Sequence, residues 1–240
     1  MGSMTTDTFF NGRVRVNQDR SGYRFSIDAV LLAYYARPRP DDKIIDLGTG
    51  CGIIPLILAH RYPGITLYGI EVQKALSEIA TLNARENRMS DRITIIEKDL
   101  KVLEPWMISG QVDIVVSNPP YRRVRSGRIN PDPQRAIARH EITATLFDVV
   151  QAAHRVLRNA GRLVMIFPAE RITDIIFQMR STSIEPKHLR IIYSEIDMGA
   201  TLVLIEGRKG GRSGIKVAPP LTIYRKGGSY TDAVLKMFAC

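Results

Sequence analysis

The tetrapeptide Asn118-Pro119-Pro120-Tyr121 is the most specific chemical signal in the sequence, and it follows the apolar run Val112–Ser117. An aromatic amine is a poor nucleophile because its lone pair is delocalised into the ring, and acceptors placed on its N–H groups localise that pair. The Asn118 side-chain oxygen and the Pro119 carbonyl offer two acceptors, and Tyr121 offers a flat face for stacking. The motif predicts a site that holds and activates a planar nitrogen. The alternative is a proline turn that only ends a strand.

A glycine-rich segment follows the apolar run Lys43–Leu47, and its spacing is G-x-G-x-G. Glycines allow a tight turn and let a ligand approach the backbone closely. The spacing is neither the G-x-G-x-x-G of dinucleotide folds nor a phosphate loop with Gly-Lys-Ser/Thr. It therefore suits a nucleoside ligand without a phosphate, such as S-adenosylmethionine, whose ammonium group Asp46 would orient directly or through water. The predicted segment comprises Asp46, Gly48, Thr49, Gly50, Cys51 and Gly52.

Two further carboxylates follow the next two apolar runs. Glu71 ends the second run and could accept both hydroxyls of a ribose, and Asp99 follows the third run and could accept from an adenine amine. The adjacent Val72 and Leu100 complete the predicted pocket. Each carboxylate taken singly is more typical of a helix cap or a turn, but their placement at successive strand ends favours a shared site.

Apolar runs rich in β-branched residues alternate with helical patterns along most of the chain. This alternation predicts an α/β fold: a Rossmann-like, seven-stranded, mostly parallel sheet with helices on both faces. A helical pattern also begins at Ser26 and ends before Pro38. The predicted strands are Lys43–Leu47, Thr66–Ile70, Ile93–Glu97, Val112–Ser117, Arg162–Phe167, Leu189–Tyr193 and Thr201–Glu206, and the predicted helices between them are 53–61, 73–87, 143–158 and 170–182.

A single domain spans residues 1–240 in this interpretation, with a catalytic core at 26–206. Residues 1–25 are interpreted as a basic, polar and irregular arm, and 207–240 as a C-terminal extension. Long loops are predicted at 121–141, which is rich in arginine, and at 207–219, which is rich in glycine.

The charge balance favours a polyanionic partner. Lysine and arginine number 34 against 24 acidic residues, a formal net charge of +10, which raises affinity for phosphate backbones. The arginines directly after the catalytic motif are predicted to contact the phosphates of a nucleic acid, although they could merely solvate a loop; they are Arg122, Arg123, Arg125 and Arg128. The alternative for the charge as a whole is a generically basic surface.

Other sequence features limit the partners and the compartment. No apolar run is long enough for a membrane span, and no basic-then-apolar signal sequence is present. Cys51 and Cys240 form neither a zinc motif nor a disulfide framework. We therefore expect a cytoplasmic protein without a metal, and no protein partner is evident.

Several motifs together resemble the Asn-Pro-Pro-Tyr class of S-adenosylmethionine methyltransferases, and within it the bacterial tRNA adenine N6-methyltransferases that modify adenosine 37 of a valine tRNA. The segments that carry this resemblance, besides the glycine and Asn118 motifs, are Asn17–Arg20, Phe25–Leu32, Pro133–Glu141 and Leu221–Thr231. The resemblance implies that Asn118, Pro119 and Tyr121 hold the base. It also implies that S-adenosylmethionine is converted to S-adenosylhomocysteine in a pocket with Ser26 and Asp28 on one lip, and with Asp46, Gly48, Gly50, Glu71, Asp99 and Leu100 as binding residues.

Other members of the Asn-Pro-Pro-Tyr class act on DNA, on ribosomal RNA or on the glutamine amide of release factors. The glutamine enzymes usually carry a helical domain ahead of the fold, whereas here the first predicted strand begins near Lys43. DNA adenine methylases often carry a large target-recognition insert, which is not seen here. A non-catalytic RNA-binding protein on the same fold is a further alternative, and the intact Asn118–Tyr121 motif argues against it.

Overall fold

The seven predicted strands form the body of a single large sheet. The computed structural model of the protein describes residues 4–19, 26–119 and 144–238. Within them a separate hairpin precedes the large sheet, and two short strands extend its edge. The strands are β1 Met4–Phe9, β2 Val14–Asp19, β3 Lys43–Leu47, β4 Thr66–Glu71, β5 Ile93–Glu97, β6 Val112–Ser117, β7 Leu157–Pro168, β8 Ile184–Tyr193, β9 Ala200–Lys209, β10 Lys216–Val217 and β11 Leu221–Thr222.

The order of strands in the large sheet is β10-β8-β9-β7-β6-β3-β4-β5, with β11 also paired to β8. The pairs β3–β4, β3–β6, β4–β5 and β6–β7 are parallel, and β9 runs antiparallel to both of its neighbours. Strand order reverses between β3 and β6, and open α/β sheets bind ligands at such a switch point, beyond the carboxyl ends of the strands.

Helices cover both faces of the sheet, as predicted. The helices are α1 Ile27–Ala36, α2 Ile53–Arg61, α3 Lys74–Glu86, α4 Leu146–Val156, α5 Ile172–Ser181 and α6 Asp232–Phe238, with short 3₁₀ turns at Leu100–Val102, Pro105–Ile108 and Ala169–Arg171. One apolar core lies under α1, α2, α3 and α6, and the second lies under α4 and α5. Successive strand residues point to opposite faces, so Ile44 belongs to the first core and Ile45 to the second.

Residues 4–19 of the amino-terminal arm form a β-hairpin, so the interpretation of this segment as irregular was wrong. Strands β1 and β2 pair antiparallel from Met4–Asp19 to Phe9–Val14. Val14 and Val16 are fully buried in the first core. Polar residues conceal the pattern because Asn17 and Gln18 are also buried, where their side chains form hydrogen bonds with Thr6, Glu86 and Asp7. An Asn-Gly turn at 11–12, with both residues at positive φ, is the signal that predicts the hairpin.

The predicted loop at 207–219 is shorter than expected. Strand β9 continues to Lys209, and β10 occupies two residues of the remainder. Gly207 suggested a loop, but it pairs with Leu163 inside the sheet. A Cβ atom at Gly207 would overlap the side chains of Met179 and Ile184, so the glycine permits close packing of α5 and β8.

Candidate cofactor and catalytic site

The strand register brings the predicted site residues to one edge of the sheet. Asp46 on β3 lies between Gly69 of β4 and Val116 of β6. One strand further out, Glu71 at the end of β4 pairs with Glu97 at the end of β5. The carboxyl ends of four neighbouring parallel strands therefore coincide at the edge where ligands bind in sheets of this type.

The glycine segment is a tight turn anchored to β4. The main-chain N–H groups of Gly48 and Thr49 both donate to the Ile70 carbonyl, each at 2.9 Å. Gly48, Gly50 and Gly52 all have positive φ, between 58° and 83°, which residues with a side chain rarely adopt. A Cβ atom at Gly52 would also lie 3.2 Å from Ala80 Cβ on α3. The glycines are thus required by the shape of the turn as well as by any ligand.

Glu71 is held in place by the turn. Its Oε2 accepts from the Gly50 N–H at 2.9 Å, and its Oε1 accepts from the Gln73 N–H at 2.9 Å. Burial raises the pKa of Glu71, and the Gln73 and Gly50 N–H groups partly offset that rise. A carboxylate oxygen can accept more than one hydrogen bond, so both oxygens keep capacity for ligand hydroxyls.

Asp46 is fully buried, and neither of its carboxylate oxygens has a hydrogen-bond partner among the described residues. Burial raises the pKa of Asp46 to about 7, and the charge of Glu71 adds to this rise. The nearby Thr49 hydroxyl lowers the pKa in part, although it does not meet the geometry of a hydrogen bond to Asp46. The Thr49 hydroxyl is itself buried and without a partner among those residues. An unsatisfied buried carboxylate is costly, and a ligand cation would remove that cost.

The remaining cofactor candidates flank these carboxylates. Val72 follows Glu71 and is 41% exposed, an unusual position for valine, while Leu100 is 9% exposed. Asp99 caps the following 3₁₀ turn, because its side chain accepts from the Lys101 N–H at 2.9 Å. Its second oxygen lies 3.4 Å from Lys101 Nζ. Asp99 therefore does cap a turn, which is the structural alternative to ligand binding for this residue.

Cys51 and the two residues on the lip of the predicted pocket, Ser26 and Asp28, are also predicted cofactor-binding residues. Burial raises the pKa of the Cys51 thiol to about 12, so the thiol stays protonated and unreactive near neutral pH. Ser26 is the exposed N-cap residue of α1, and Asp28 lies in the first turn of that helix.

The catalytic motif begins where β6 ends. Ser117 is fully buried and its hydroxyl donates to the Leu47 carbonyl at 2.8 Å, across β6 and β3. Asn118 is half-buried and Pro119 is buried directly after it. Tyr121 and the four arginines predicted to contact nucleic acid, Arg122, Arg123, Arg125 and Arg128, lie outside the described residues.

Two site-supporting residues were missed at the sequence level. Ser117 passed as an ordinary strand residue, and nothing in its type marks the bond to Leu47. Asn83 on α3 is fully buried and donates to the Cys51 carbonyl at 2.9 Å. A detectable signal exists for Asn83, because it falls on the apolar stripe formed by Leu76, Ala80 and Ala84.

The donor and acceptor set fits S-adenosylmethionine. The unpartnered Asp46 carboxylate suits an ammonium group, the anchored Glu71 suits a pair of hydroxyls, and the apolar Val72 and Leu100 suit a purine. The glycine turn is not followed by the Gly-Lys-Ser/Thr sequence of a phosphate-binding loop.

Comparisons with known proteins agree with this geometry. A family model described as "Methyltransferase small domain" matches residues 25–178. A tRNA1(Val) (adenine(37)-N6)-methyltransferase of Porphyromonas gingivalis is 37% identical over 178 residues, which is 72% of this chain and 69% of that protein. A protein of the same name from Vibrio campbellii is 29% identical, over 64% of this chain and 62% of its own length. A solved structure, a predicted O-methyltransferase of Agrobacterium tumefaciens, superposes with a TM-score of 0.71 at 21% identity, over 88% of this chain and 94% of that one.

The sheet order, the glycine turn and the carboxylates at successive strand ends define a class I methyltransferase that uses S-adenosylmethionine. The chain belongs to the methyltransferase small domain family.

Proposed function

We propose that the protein methylates the N6 amine of an adenosine in tRNA, and that the target is adenosine 37 in the anticodon loop of a valine tRNA. The observation that supports the proposal is the hydrogen bond from the Ser117 hydroxyl to the Leu47 carbonyl, which ties the residue before Asn118 to the residue before the glycine turn. The names of the Porphyromonas and Vibrio relatives support the choice of substrate.

The cofactor is held by the residues of the strand ends in this proposal. Asp46 takes the ammonium group, Glu71 takes the ribose hydroxyls, and Val72 and Leu100 enclose the adenine, with Asp99 accepting from its amine. The glycine turn, through Gly48, Thr49, Gly50, Cys51 and Gly52, leaves the backbone open to the amino-acid part, and Ser26 and Asp28 form the opposite lip. The bound cofactor supplies a methyl group on a sulfonium, which is strongly electrophilic.

The base is held by the motif after β6. The Asn118 side-chain oxygen and the Pro119 carbonyl accept from the two N–H groups of the adenine amine, which concentrates its lone pair on nitrogen. Tyr121 stacks on the ring and fixes its direction. No general base is needed before transfer, because the methylated ammonium is acidic and loses its proton to water. Alignment therefore contributes most of the rate.

In this proposal, basic side chains hold the RNA, and the target base lies in a loop from which it is easily turned out. An anticodon-loop adenosine is already partly unpaired, so turning it into a pocket costs less than turning a base out of a duplex. Arg122, Arg123, Arg125 and Arg128 follow the catalytic motif and would contact the flanking phosphates. No helix among the described residues is long and apolar enough to cross a membrane. A cytoplasmic location, where tRNA is modified, is part of the proposal.

The decisive experiment supplies the purified protein with S-adenosylmethionine and unmodified valine tRNA, followed by nucleoside mass spectrometry. We expect N6-methyladenosine from adenosine 37 and none from a transcript carrying guanosine there. Methylation of ribosomal RNA, DNA or a release-factor glutamine instead would refute the tRNA assignment. Cofactor binding without methylation of any of these would favour the non-catalytic alternative.

A further inference from the structure

A single buried amide joins the amino-terminal hairpin to the glycine turn. Asn83 Oδ1 accepts from the Asn17 N–H at 2.8 Å, and Asn83 Nδ2 donates to the Asn17 carbonyl at 3.0 Å. The same Nδ2 also donates to the Cys51 carbonyl at 2.9 Å. Asn83 is fully buried, so these main-chain groups have no access to water at that point.

The side-chain chemistry of Asn83 is matched to this position. An amide carries one acceptor oxygen and a nitrogen with two donor hydrogens, and here the main chain uses all of them. An apolar residue would leave two carbonyls and one N–H of the protein buried without partners, and each such group costs about 1–3 kcal/mol. Asparagine is also a weak helix former, and Asn83 lies within the last turn of α3, so helix stability does not explain its presence.

The contact with Cys51 is one residue away from the hydrogen bond that holds Glu71, the carboxylate proposed to bind the cofactor ribose. Cys51 follows Gly50, whose N–H donates to Glu71 Oε2 at 2.9 Å. On the other side, Gly52 packs against Ala80 of the same helix that carries Asn83. The turn is therefore fixed between α3 and β4, and the Asn83 amide is the element of this contact that also reaches the hairpin.

We propose that Asn83 is a positioning residue that couples docking of the amino-terminal hairpin to the shape of the cofactor turn. Loss of the amide would release the Cys51 carbonyl and let the Gly50–Gly52 backbone move away from Glu71, which lowers cofactor affinity. The inference rests on the proposed use of that turn for S-adenosylmethionine.

The chain offers a closely matched control four residues away. Asn87 Oδ1 accepts from the Arg15 N–H at 2.8 Å, and its Nδ2 donates to the Arg15 carbonyl at 2.6 Å. Asn83 and Asn87 therefore cover alternate residues of the same edge of β2. The hydrogen bonds of Asn87 reach the hairpin and α3 itself but not the glycine turn.

The test compares Asn83→Ala with Asn87→Ala by calorimetric titration with S-adenosylhomocysteine and by steady-state kinetics. Asn83→Ala should weaken ligand affinity and raise the KM for S-adenosylmethionine by about 10-fold or more, with kcat at saturating cofactor lowered less than about 3-fold. Asn87→Ala should change both affinity and KM by less than about 2-fold, because the Asn83 bonds to Asn17 and Cys51 remain in that variant. Equal effects of the two variants on affinity would overturn the coupling and reduce Asn83 to a structural residue.

A measurement on the unmodified protein keeps the inference testable if Asn83→Ala does not fold. Binding of S-adenosylhomocysteine should slow amide hydrogen exchange in 48–52 and also in 14–19 of the hairpin. Slower exchange confined to 48–52 would refute the coupling while leaving the cofactor site intact. No binding at all would instead refute the proposed function, so the two failures are distinguishable.

Discussion

The Ser117 hydroxyl donates a 2.8 Å hydrogen bond to the Leu47 carbonyl, so the residue before Asn118 is tied to the residue before the glycine turn. The regular pairing of β3 with β6 extends to Asp46 and Val116. The Ser117 bond therefore continues the contact between the two strands one residue beyond the ladder. The part of the site that would hold the base and the part that would hold the cofactor are joined at this point.

Replacement of Ser117 by alanine should lower kcat by about 5- to 20-fold, because Asn118 loses its fixed position and the buried Leu47 carbonyl loses its donor. The free energy of unfolding should fall by about 1–2 kcal/mol, measured by urea titration. Thr231→Val removes a comparable 2.8 Å hydroxyl-to-carbonyl bond, to Thr222 beside β8, which is three strands away from β6 in the sheet, and it should spare kcat. An equal loss of kcat in both variants would contradict the role of Ser117.

Replacement of Asn118 by alanine should reduce turnover by roughly 100-fold or more, because its acceptor contributes mainly in the transition state. Cofactor affinity, measured by calorimetry, should change little. Tyr121→Ala should chiefly weaken productive base placement, and Tyr121→Phe should be mild. Near-normal turnover of Asn118→Ala on a verified substrate would mean that another residue activates the amine.

Replacement of Glu71 by alanine should weaken S-adenosylmethionine binding by about 1.5–3 kcal/mol, since two hydrogen bonds to a charged acceptor are lost. Part of that loss comes from the Gly50 N–H, which also loses its acceptor. Glu97→Ala is the control, because Glu97 ends the neighbouring strand but is exposed. Calorimetry that gave the same affinity for Glu71→Ala and Glu97→Ala would exclude Glu71 from the pocket.

Stability without cofactor should depend on pH through Asp46. Its pKa is raised from 3.8 to about 7, so the folded state holds the proton more tightly than the unfolded state. The free energy of unfolding should consequently be highest below about pH 4 for this group and fall as pH rises towards 7. Asp46→Asn should remove this slope and raise the free energy of unfolding at pH 8 by on the order of 2 kcal/mol.

Thermal unfolding across pH 5–8 measures the effect of Asp46→Asn. Asp91→Asn, at a side chain that is 72% exposed, should leave the slope unchanged. Asp46→Asn should also bind S-adenosylmethionine more weakly, so stability and affinity would move in opposite directions. A variant less stable than the wild type at pH 8 would show that Asp46 is satisfied in the folded protein.

Affinity for tRNA should fall steeply with salt if the arginines after the catalytic motif contact phosphates. The double variant Arg122→Ala, Arg123→Ala should flatten the slope of log affinity against log salt by nearly two, without changing cofactor binding. Filter binding at several salt concentrations measures the slope. An unchanged slope would favour the interpretation that these arginines only solvate the segment.

Much of the fold could be predicted from sequence because its signals are local. Strands β3 and β6 begin and end where the apolar runs do, since a buried parallel strand needs a nearly continuous apolar segment. Strand β5 also has its predicted bounds, although it lies at the edge of the sheet. The hairpin was missed because its buried positions include the polar residues Asn17 and Gln18, whose burial depends on partners on α3 and on the opposite strand of the hairpin. Gly207 was misread because a glycine needed for close packing has the same local signature as one in a loop.

The sequence by itself determined the chemical groups of the site: the glycine spacing, the carboxylates Asp46, Glu71 and Asp99, and the motif that begins at Asn118. Each is a property of residue type and position along the chain. The tertiary structure alone decided which of them are anchored and which are unsatisfied. Ser117 reaches Leu47 across 70 residues and Asn83 reaches Asn17 across 66, and such contacts arise only when strand order and helix packing bring distant segments together.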